Sequence, residues 1–313
     1  MKFYLGVTNN SWYDYLSIFE PEDVNFWQPG GASIFQLLSP GEPFMFKLKA
    51  PRNVIAGVGF FASHTTLPIK SAWDFFSNRN GMPDFSPFLK VIQGYRRDQD
   101  PNPTIGCIVL TDPIFFKEED WIDVTSIWKS SIVQGKSFNT ADAVGNQLWQ
   151  KVYTLINVYM EDRKEETVKD SILLSEPSGP AYGISFMSKV RLGQGSFRVM
   201  VTDAYSRKCS ITGEKTLPVL EAAHIKPYAS SGPHATTNGI LLRADIHKLF
   251  DNGYITVSNE MKVEVSSKIK EEFQNGREYY QYHGKDLLVL PQHLRNRPAK
   301  PYIDWHNTNI YLG

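Results

Sequence analysis

The sequence predicts an α+β protein with two domains that differ in their pattern of secondary structure. The first 145 residues are dense in aromatic and β-forming residues and predict a mixed β-barrel with short helices. A stretch rich in Gly, Pro and Ser at 175–183 predicts a linker. Beyond it, a short apolar strand, a polar loop and an amphipathic helix follow one another over 219–251. We therefore expect one domain at 1–145, a helix and linker at 146–190, and a second domain at 191–313.

The elements of the N-terminal domain follow from runs of apolar residues and from their spacing. Short runs of β-branched and aromatic residues predict strands at Phe3–Val7, Pro43–Leu48, Val54–Phe61 and Thr104–Leu110. Helical spacing predicts short helices at Pro68–Arg79 and Pro87–Tyr95, and a longer helix over 145–170 that ends in a charged run. The alternation of strands and short helices is the basis of the predicted barrel.

The C-terminal domain is expected to open with a helix at Ser196–Ser206. Its buried face would consist of Phe197, Val201, Ala204 and Tyr205. A strand over Val219–Ile225 should end at Pro227, and a helix over Ala244–Asp251 should stop at Asn252-Gly253. A helix at Lys268–Asn275, a strand at Asp286–Leu290 and a tail that wraps the domain or touches a ligand should follow.

Charge is unevenly distributed along a chain that is neutral overall. Residues 189–313 carry 17 Lys and Arg against 12 Asp and Glu, a net charge of +5, and six of the seven His. Residues 1–188 carry 16 against 21, a net charge of −5. A positive surface suits a domain that contacts phosphates, although a difference of this size also arises by chance.

Cysteine content and hydropathy indicate the cellular compartment. Cys107 and Cys209 are the only cysteines, so a four-cysteine zinc site is excluded and no disulfide pattern is present. No apolar run approaches membrane-spanning length, and the N-terminus lacks the features of a secretory signal. We expect a cytoplasmic protein that contacts no membrane and holds no structural zinc.

Four residues of the strand–loop–helix segment have side chains suited to metal-assisted chemistry. His247 and Asp251 are four residues apart on the predicted helix, so both face one side and could hold one divalent cation. His224 stands at the end of the predicted strand, and Asn238 lies in the loop. A single His on an apolar strand is usually structural, and the functional interpretation depends on all four occurring in this order.

This arrangement resembles the ββα-metal fold of HNH endonucleases. Asn238-x-x-Leu-Leu-x-x-x-x-His247 repeats the second half of the family signature, and His224-Ile-x-Pro227 repeats the first half. The resemblance implies that His224 is the general base that deprotonates the attacking water and that Asn238 holds the loop against the helix. It also implies that His247, a member of the catalytic set, and Asp251 bind a divalent metal. Mg²⁺ is expected, with Mn²⁺, Co²⁺ or Ni²⁺ as alternatives.

Two departures from the common HNH pattern bear on the metal site. Many members carry an acidic or His ligand immediately before the base, where this chain has Ala223. Glu221, two residues away on the same predicted strand face, is a candidate additional ligand. The structural zinc of many members is also absent, and both absences fit the subgroup with the Glu-Ala-Ala-His-Ile form, often described as restriction endonucleases.

Five basic residues and four further His residues of this domain lie outside the candidate metal site. The predicted DNA-backbone contacts are Arg198, Arg207, Lys226, Arg243 and Lys248. Four other His residues lack a motif, and we expect them on surfaces or in loops: His234, His283, His293 and His306.

The N-terminal domain carries a second resemblance. Ser11-Trp12-Tyr-Asp14, Asn25-Phe26-Trp27, and Pro40-Gly41-Glu-x-Phe44-x-Phe46 followed by Ile55-x-Gly57-x-Gly-x-Phe61 resemble the EVE domain of the PUA-like superfamily. In that superfamily, which is close in architecture to SRA domains, a β-barrel offers an aromatic pocket to a nucleobase. Reading a base in duplex DNA requires flipping it out and stacking it on aromatic faces. The predicted pocket residues are Trp12, Asp14, Asn25, Phe26, Trp27 and Trp73, although aromatic residues at this density more often form a core.

The two resemblances together predict a modification-dependent restriction endonuclease. Its N-terminal domain would recognise 5-methylcytosine or 5-hydroxymethylcytosine in double-stranded DNA, and its C-terminal domain would cut nearby. One alternative is an HNH nuclease guided by unmodified sequence, a partner or a small molecule. Another is an inactive reader, for which Ala223 is the hint. Two cuts with one active site per chain suggest a homodimer.

Overall fold

The structure is a computed structural model that describes residues 1–31, 34–170 and 193–313, without the side chains of 162–170. Its two compact units are Met1–Leu192 and Gly193–Gly313. The α+β class predicted from the sequence is confirmed, because a mixed sheet fills the first unit and helices with two-stranded sheets form the second. The predicted linker at 175–183 lies outside the described residues.

The N-terminal unit is organised around a seven-stranded sheet. Its strand order is β2-β5-β4-β3-β1-β7, with β6 paired to β4. The pairing of β1 with β3 is parallel and the other pairings are antiparallel. The strands are β1 Lys2–Thr8, β2 Asp23–Gln28, β3 Pro43–Leu48, β4 Val54–Pro68, β5 Thr104–Phe115, β6 Ile122–Asp123 and β7 Gly135–Asn139. The helices of this unit are α1 Asn10–Leu16, α2 Ile69–Phe76, α3 Phe85–Gly94 and α4 Ala143–Asp170.

Both faces of this sheet are covered by apolar side chains. All six residues of β3 are buried, which an alternating half-exposed strand would not show. Met45 faces a core cluster that also contains Phe3 and Val58. The helix α4 contributes Leu148, Val152 and Ile156 to the same cluster, so this helix belongs to the N-terminal unit. On the other face, Phe44 and Phe46 contact the aromatic rings of Phe26 and Trp12, with centroid distances of 4.6 and 5.4 Å.

The predicted strands of this unit are all present; β1 is longer than predicted by one residue at each end, and β4 and β5 are longer by several residues. The strands β4 and β5 extend to Pro68 and Phe115 and pair along most of their length. The predicted helix over Pro68–Arg79 is instead α2 followed by a short 3₁₀ turn, because Ser77 has a φ of 48° that interrupts the α-helix. The short elements α1, β2, β6 and β7 were not predicted.

The C-terminal unit contains a two-stranded hairpin, one helix that packs on this hairpin and a second helix that directly follows it in the chain. Its helices are α5 Gln194–Ala204, α6 Ala244–Asp251, α7 Lys268–Phe273, α8 Arg277–Tyr280 and α9 Lys300–Asn309. Its strands are β8 Leu220–His224, β9 Gly239–Arg243, β10 Ile255–Val257 and β11 Val263–Val265. Phe197, Val201 and Tyr205 are buried as predicted, and Ala204 packs partly buried on the same core. This core is made by Leu241, Leu242, Ile246 and Phe250, among others.

The strand predicted at Asp286–Leu290 is wrong. Asp286 forms only an isolated bridge with Lys262. The next backbone bonds go to two different segments, from Leu287 to Met261 and from Val289 to Ser210, so no continuous ladder can form. Leu288 is 67% exposed, which shows that the apolar run is not uniformly buried.

The expectation that His306 lies on a surface or in a loop is also wrong. His306 lies in α9 and is only 2% exposed. Its ring stacks on Phe250 at 3.9 Å, its Nε2–H donates to the Phe250 carbonyl, and its Nδ1 lies 2.8 Å from the Thr256 hydroxyl. His306 is therefore part of the core that supports α6 and β10.

Among the described helices, none combines the length and the apolar character needed to span a lipid bilayer.

The buried His306 predicts a loss of stability in acid. Burial lowers the pKa of His306 to about 4, whereas an unfolded His titrates near 6.5. Its contribution is therefore complete above about pH 6.5 and is lost as the pH falls towards 4, by up to about 3 kcal/mol. We expect His306→Gln, which keeps a donor near Nε2, to be less stable than wild type at pH 7, with a difference that shrinks by pH 4.5. Urea denaturation of both proteins at several pH values measures this difference, and a gap independent of pH would contradict the assignment.

Candidate active site and aromatic cavity

A hairpin and the helix that follows it bring the predicted site residues together. In this hairpin, β8 pairs antiparallel with β9, and His224 at the end of β8 is opposite Gly239 at the start of β9. The helix α6 begins at Ala244, directly after β9. This connection returns His247 to the side of β8, where it contacts Glu221.

The His247 imidazole lies between two carboxylates. Its Nδ1 is 2.5 Å from Oε2 of Glu221, and its Nε2 is 3.3 Å from Oδ2 of Asp251, one helical turn later. Burial lowers the pKa of His247, but its hydrogen bonds with Asp251 and Glu221 outweigh burial, so that the pKa is raised. Both carboxylates are about half exposed, so this side of α6 is accessible to solvent.

Two of these groups fit a divalent cation by their chemistry. Within the described residues, no group of three or more His, Cys, Asp and Glu is arranged to hold a metal. His247 Nε2 and Asp251 nevertheless approach each other on an exposed helix face, which is a nitrogen and oxygen donor pair. Mg²⁺ commonly takes only one or two carboxylates and fills its other positions with water and phosphate oxygens. Glu221 lies on the Nδ1 side of the ring, where carboxylates typically orient a metal-binding His.

The uninterrupted pairing of β8 with β9 keeps Glu221 and Ala223 on the same strand face. The two residues differ in exposure, because Glu221 is exposed and Ala223 is completely buried in the hydrophobic core. Glu221 reaches His247 from a position three residues before His224.

His224 is held by an aromatic ring and by a second histidine. Its ring stacks on Phe197 of α5 at 3.9 Å with an interplanar angle of 10°. A Cβ at Gly239 would lie 2.4 Å from Val201, so the glycine allows α5 to pack this closely. His224 Nε2 is 2.9 Å from Nδ1 of His234. Burial, followed by the charges of His234 and His247, lowers the pKa of His224 to about 4, so that the ring is neutral at pH 7.

His234 was not recognised as a site residue from the sequence. It lies in the loop between β8 and β9, as expected, but it contacts both His224 and the ring of Tyr228. Residues in a loop of this length have no fixed spacing, so no periodic signal links His234 to His224.

Asn238 is completely buried and organises the same loop. Its Oδ1 accepts a hydrogen bond from Lys226 N at 2.8 Å, and its Nδ2 donates to the carbonyls of Lys226 and Pro233 at 2.9 and 3.0 Å. The predicted role was to hold the loop against the helix. These hydrogen bonds instead close the loop on itself, and none of them goes to α6.

The predicted DNA-backbone residues differ in how far their charges are already engaged. Arg243 forms a bidentate pair with Asp245 at 2.6 and 2.8 Å, and this pairing raises its pKa. Arg207 pairs with Asp203 at 3.3 Å. Lys226 lies over the ring of Trp305 at 5.5 Å. Arg198 lies close enough to lower the pKa of His224, and Lys248 is exposed on α6.

The N-terminal unit contains a cavity of about 390 Å³ with aromatic walls. Three of the six predicted pocket residues line this cavity: Trp12, Phe26 and Trp27. The indole N–H of Trp12 donates to the Asn25 carbonyl and that of Trp27 to the Asn80 carbonyl. The polar edges of both indoles are thus satisfied by the protein.

The structure places the other three predicted pocket residues away from the cavity lining. Asp14 is half exposed and pairs with Arg52. Asn25 is completely buried and donates to Asn80. Trp73 packs its ring against Phe88 and does not line the cavity. Polar residues beside an aromatic in sequence alternate to the opposite face of a strand, which explains why Asn25 and Phe26 separate.

Several polar residues of the cavity were not predicted, because they come from separate segments. Gln28 lines the cavity, and its Oε1 is buried without a hydrogen-bond partner among the described residues. Lys49 lines it as well and donates to the Tyr95 hydroxyl at 2.8 Å. The remaining lining residues are Tyr4, Val7, Asn9, Pro29, Gly30, Ile108, Val133 and Gln134.

Comparison with known proteins gives one family match and several distant structural likenesses. Residues 209–258 match the HNH endonuclease family model and form an HNH domain. No curated protein matches the chain. Among solved structures, an ASCH protein from Zymomonas mobilis is 9% identical with a TM-score of 0.33, covering 49% of this chain and 94% of that one. The modification-dependent TagI restriction endonuclease is 12% identical with a TM-score of 0.28, covering 92% of this chain and 75% of that one.

The pairing of His247 with Asp251 predicts a weak divalent-metal site that can be measured without activity. We expect Asp251→Asn to weaken Mn²⁺ binding at least about tenfold, because it removes a charged ligand, and Glu221→Gln to weaken it less. Titration of Mn²⁺ by electron paramagnetic resonance measures the free ion. Asp286→Asn is the matched control, because Asp286 is exposed and distant in sequence from the site. Equal Mn²⁺ affinity in wild type and Asp251→Asn would contradict the ligand role.

Proposed function

We propose that this protein is a modification-dependent DNA endonuclease. The proposal rests chiefly on the convergence of His224, His247 and Asp251 on the β8–β9 hairpin and α6, within the residues that match the HNH family model. In this proposal the C-terminal unit hydrolyses phosphodiester bonds in double-stranded DNA. The N-terminal cavity accepts a modified cytosine that has been flipped out of the duplex.

His224 acts as the general base in this proposal. Its ring is neutral at pH 7, so one ring nitrogen has a lone pair available for the proton of the attacking water. Phe197 and His234 restrict its orientation, which keeps that nitrogen directed at the water. An oriented base of this kind contributes on the order of 10²–10⁴ to the rate.

His247 and Asp251 would hold the divalent ion, Mg²⁺ by expectation with Mn²⁺, Co²⁺ or Ni²⁺ as alternatives. When bound, the ion supplies Lewis-acid stabilisation of the charge on the phosphate and the leaving 3′ oxygen. Glu221 would accept a hydrogen bond from Nδ1–H of His247 and thereby keep Nε2 directed towards Asp251. In this proposal Lys226 and Lys248 contact the phosphates of the DNA backbone, together with Arg198, which lies close to His224.

Ala223 supplies no metal ligand in this proposal. Its side chain is completely buried in the core of the C-terminal unit, and the His247–Asp251 pair forms without a donor at this position.

The chemistry of the N-terminal cavity supports the recognition of a single flipped base. Its aromatic walls supply stacking faces, and its volume of about 390 Å³ exceeds the size of one nucleobase. Gln28 and Lys49 add polar side chains to the lining of the cavity. An acidic N-terminal half is a poor non-specific DNA binder, which favours a focused pocket over a broad electrostatic surface.

The combination of the two units provides a biological rationale. A nuclease that contacts mainly the DNA backbone would also cut the genome of its host. A second unit that binds only a modified base would confine cleavage to marked DNA. A homodimer would supply two active sites for the two strands.

Digestion of matched plasmids tests both parts of the proposal. The plasmids carry cytosine, 5-methylcytosine, 5-hydroxymethylcytosine or glucosylated hydroxymethylcytosine, and each is incubated with Mg²⁺, Mn²⁺, Co²⁺ or Ni²⁺. We expect cleavage of a modified plasmid only, reduced about 10²–10⁴-fold by His224→Ala. Equal cutting of all plasmids would favour a nuclease guided by unmodified sequence or a partner. Binding of modified DNA without cleavage in any metal would favour an inactive reader.

A second prediction concerns the cavity alone. Tyr95 lines the cavity and is half exposed, so Tyr95→Ala should remove a stacking face without unfolding the unit. Stacking of a base on an aromatic ring contributes about 1–3 kcal/mol, so binding of a modified duplex should weaken about 5- to 150-fold. Fluorescence anisotropy with a labelled duplex and EDTA measures this affinity. Tyr15→Ala is the matched control, because Tyr15 packs on Phe19 and does not line the cavity. Unchanged affinity in Tyr95→Ala would remove Tyr95 from the binding site.

A further inference from the structure

Among the described side chains, His234 is the one with a ring nitrogen at hydrogen-bonding distance from a ring nitrogen of His224. The contact joins Nε2 of His224 to Nδ1 of His234 over 2.9 Å. The two rings are inclined at 58° with centroids 4.9 Å apart, so the contact is edge to edge and not a stack. One of the two nitrogens must carry a proton and the other a lone pair, and this choice decides the chemistry of His224.

We propose that His234 is a positioning residue that holds His224 in the tautomer required of a general base, an inference that rests on the proposed nuclease function. If His224 Nε2–H donates to His234 Nδ1, the lone pair of His224 lies on Nδ1 and can accept a proton from water. If the direction is reversed, His224 Nδ1 carries a hydrogen and neither nitrogen can act as a base. His234 thus has the role that a carboxylate or a backbone carbonyl has beside other catalytic histidines.

The surroundings of His234 fix its ring in the position that this role requires. Tyr228 stacks on it at 4.4 Å with an interplanar angle of 13°. The preceding residue, Pro233, accepts a hydrogen bond from the buried Asn238 amide, which anchors the backbone from which the His234 side chain projects. Phe197 covers one face of the His224 ring in turn. The two rings are therefore held on separate elements, α5 and β8 for His224 and the loop for His234.

Proton transfer in this arrangement is balanced without a further reactant. The water O–H bond breaks as an N–H bond forms at Nδ1 of His224, and the oxygen attacks phosphorus. The bond from phosphorus to the 3′ oxygen breaks, and that oxygen takes a proton from solvent. The resulting His224 cation keeps its Nε2–H hydrogen bond to His234, which becomes charge-assisted and therefore stronger. The low pKa of His224 in the free protein means that the ring begins neutral, as the first step requires.

Three substitutions of His234 separate positioning from other roles. Asn places its Oδ1 near the position of Nδ1, whereas the longer Gln places its polar atoms near Nε2. We expect His234→Ala and His234→Gln to lower kcat for cleavage in Mn²⁺ about 10- to 100-fold with an unchanged KM for DNA, and His234→Asn to retain most of the wild-type kcat. A wild-type kcat in His234→Ala would overturn the proposal. So would a loss confined to KM, which would indicate a DNA contact.

A spectroscopic measurement tests the same inference when no cleavage is available. In protein labelled with ¹⁵N in its histidines, long-range ¹H–¹⁵N correlation spectra distinguish a protonated from an unprotonated ring nitrogen, and His224→Ala identifies the signals. We expect His224 to be protonated at Nε2 in wild type and in His234→Asn, and to show a mixture of tautomers in His234→Ala. A His224 protonated at Nδ1 in wild type would overturn the proposal. Absence of cleavage in every metal, combined with the expected spectra, would count against the nuclease function alone.

Discussion

The geometry of the candidate active site depends on one buried side-chain amide. Asn238 makes three hydrogen bonds to the backbone of Lys226 and Pro233, and it is completely shielded from water. A buried amide left without these partners would cost about 1–3 kcal/mol, so these hydrogen bonds favour the closed loop. In the hairpin that this loop connects, His224 lies opposite Gly239. The helix that carries His247 then follows β9 without an intervening residue.

The amino-acid sequence predicts the parts of this site that lie on regular elements. His247 and Asp251 are four residues apart on a helix, and that spacing alone places them together. The strand–loop–helix order and the α+β class were also accessible, because they depend on local periodicity. His234 was not accessible, because its position is set by tertiary contacts of a loop. His306 was misplaced for a related reason, since only packing against Phe250 shows that its helix face is internal.

The N-terminal unit shows the same division between local and long-range information. The sequence located three cavity residues, Trp12, Phe26 and Trp27, through short motifs. It also proposed Asn25, which the alternation of β2 turns away from Phe26 into the interior. The polar part of the cavity comes from Gln28 and from Lys49 with Tyr95, which lie on separate segments of the chain. A sequence motif within a single segment identifies aromatic residues. It does not show whether those residues line a cavity or are packed in a core.

The stacking of His224 on Phe197 has a consequence for how this nuclease module can be transplanted. The family match begins at Cys209, whereas Phe197 lies on α5, and the core ring of His306 lies on α9 near the end of the chain. A graft of the matched segment alone onto another protein would carry His224, His247 and Asp251 but leave behind the rings of Phe197 and His306. The smallest exchangeable cassette is therefore the whole of Gly193–Gly313. Recombination between such proteins would preserve the chemistry only when its breakpoints fall before α5.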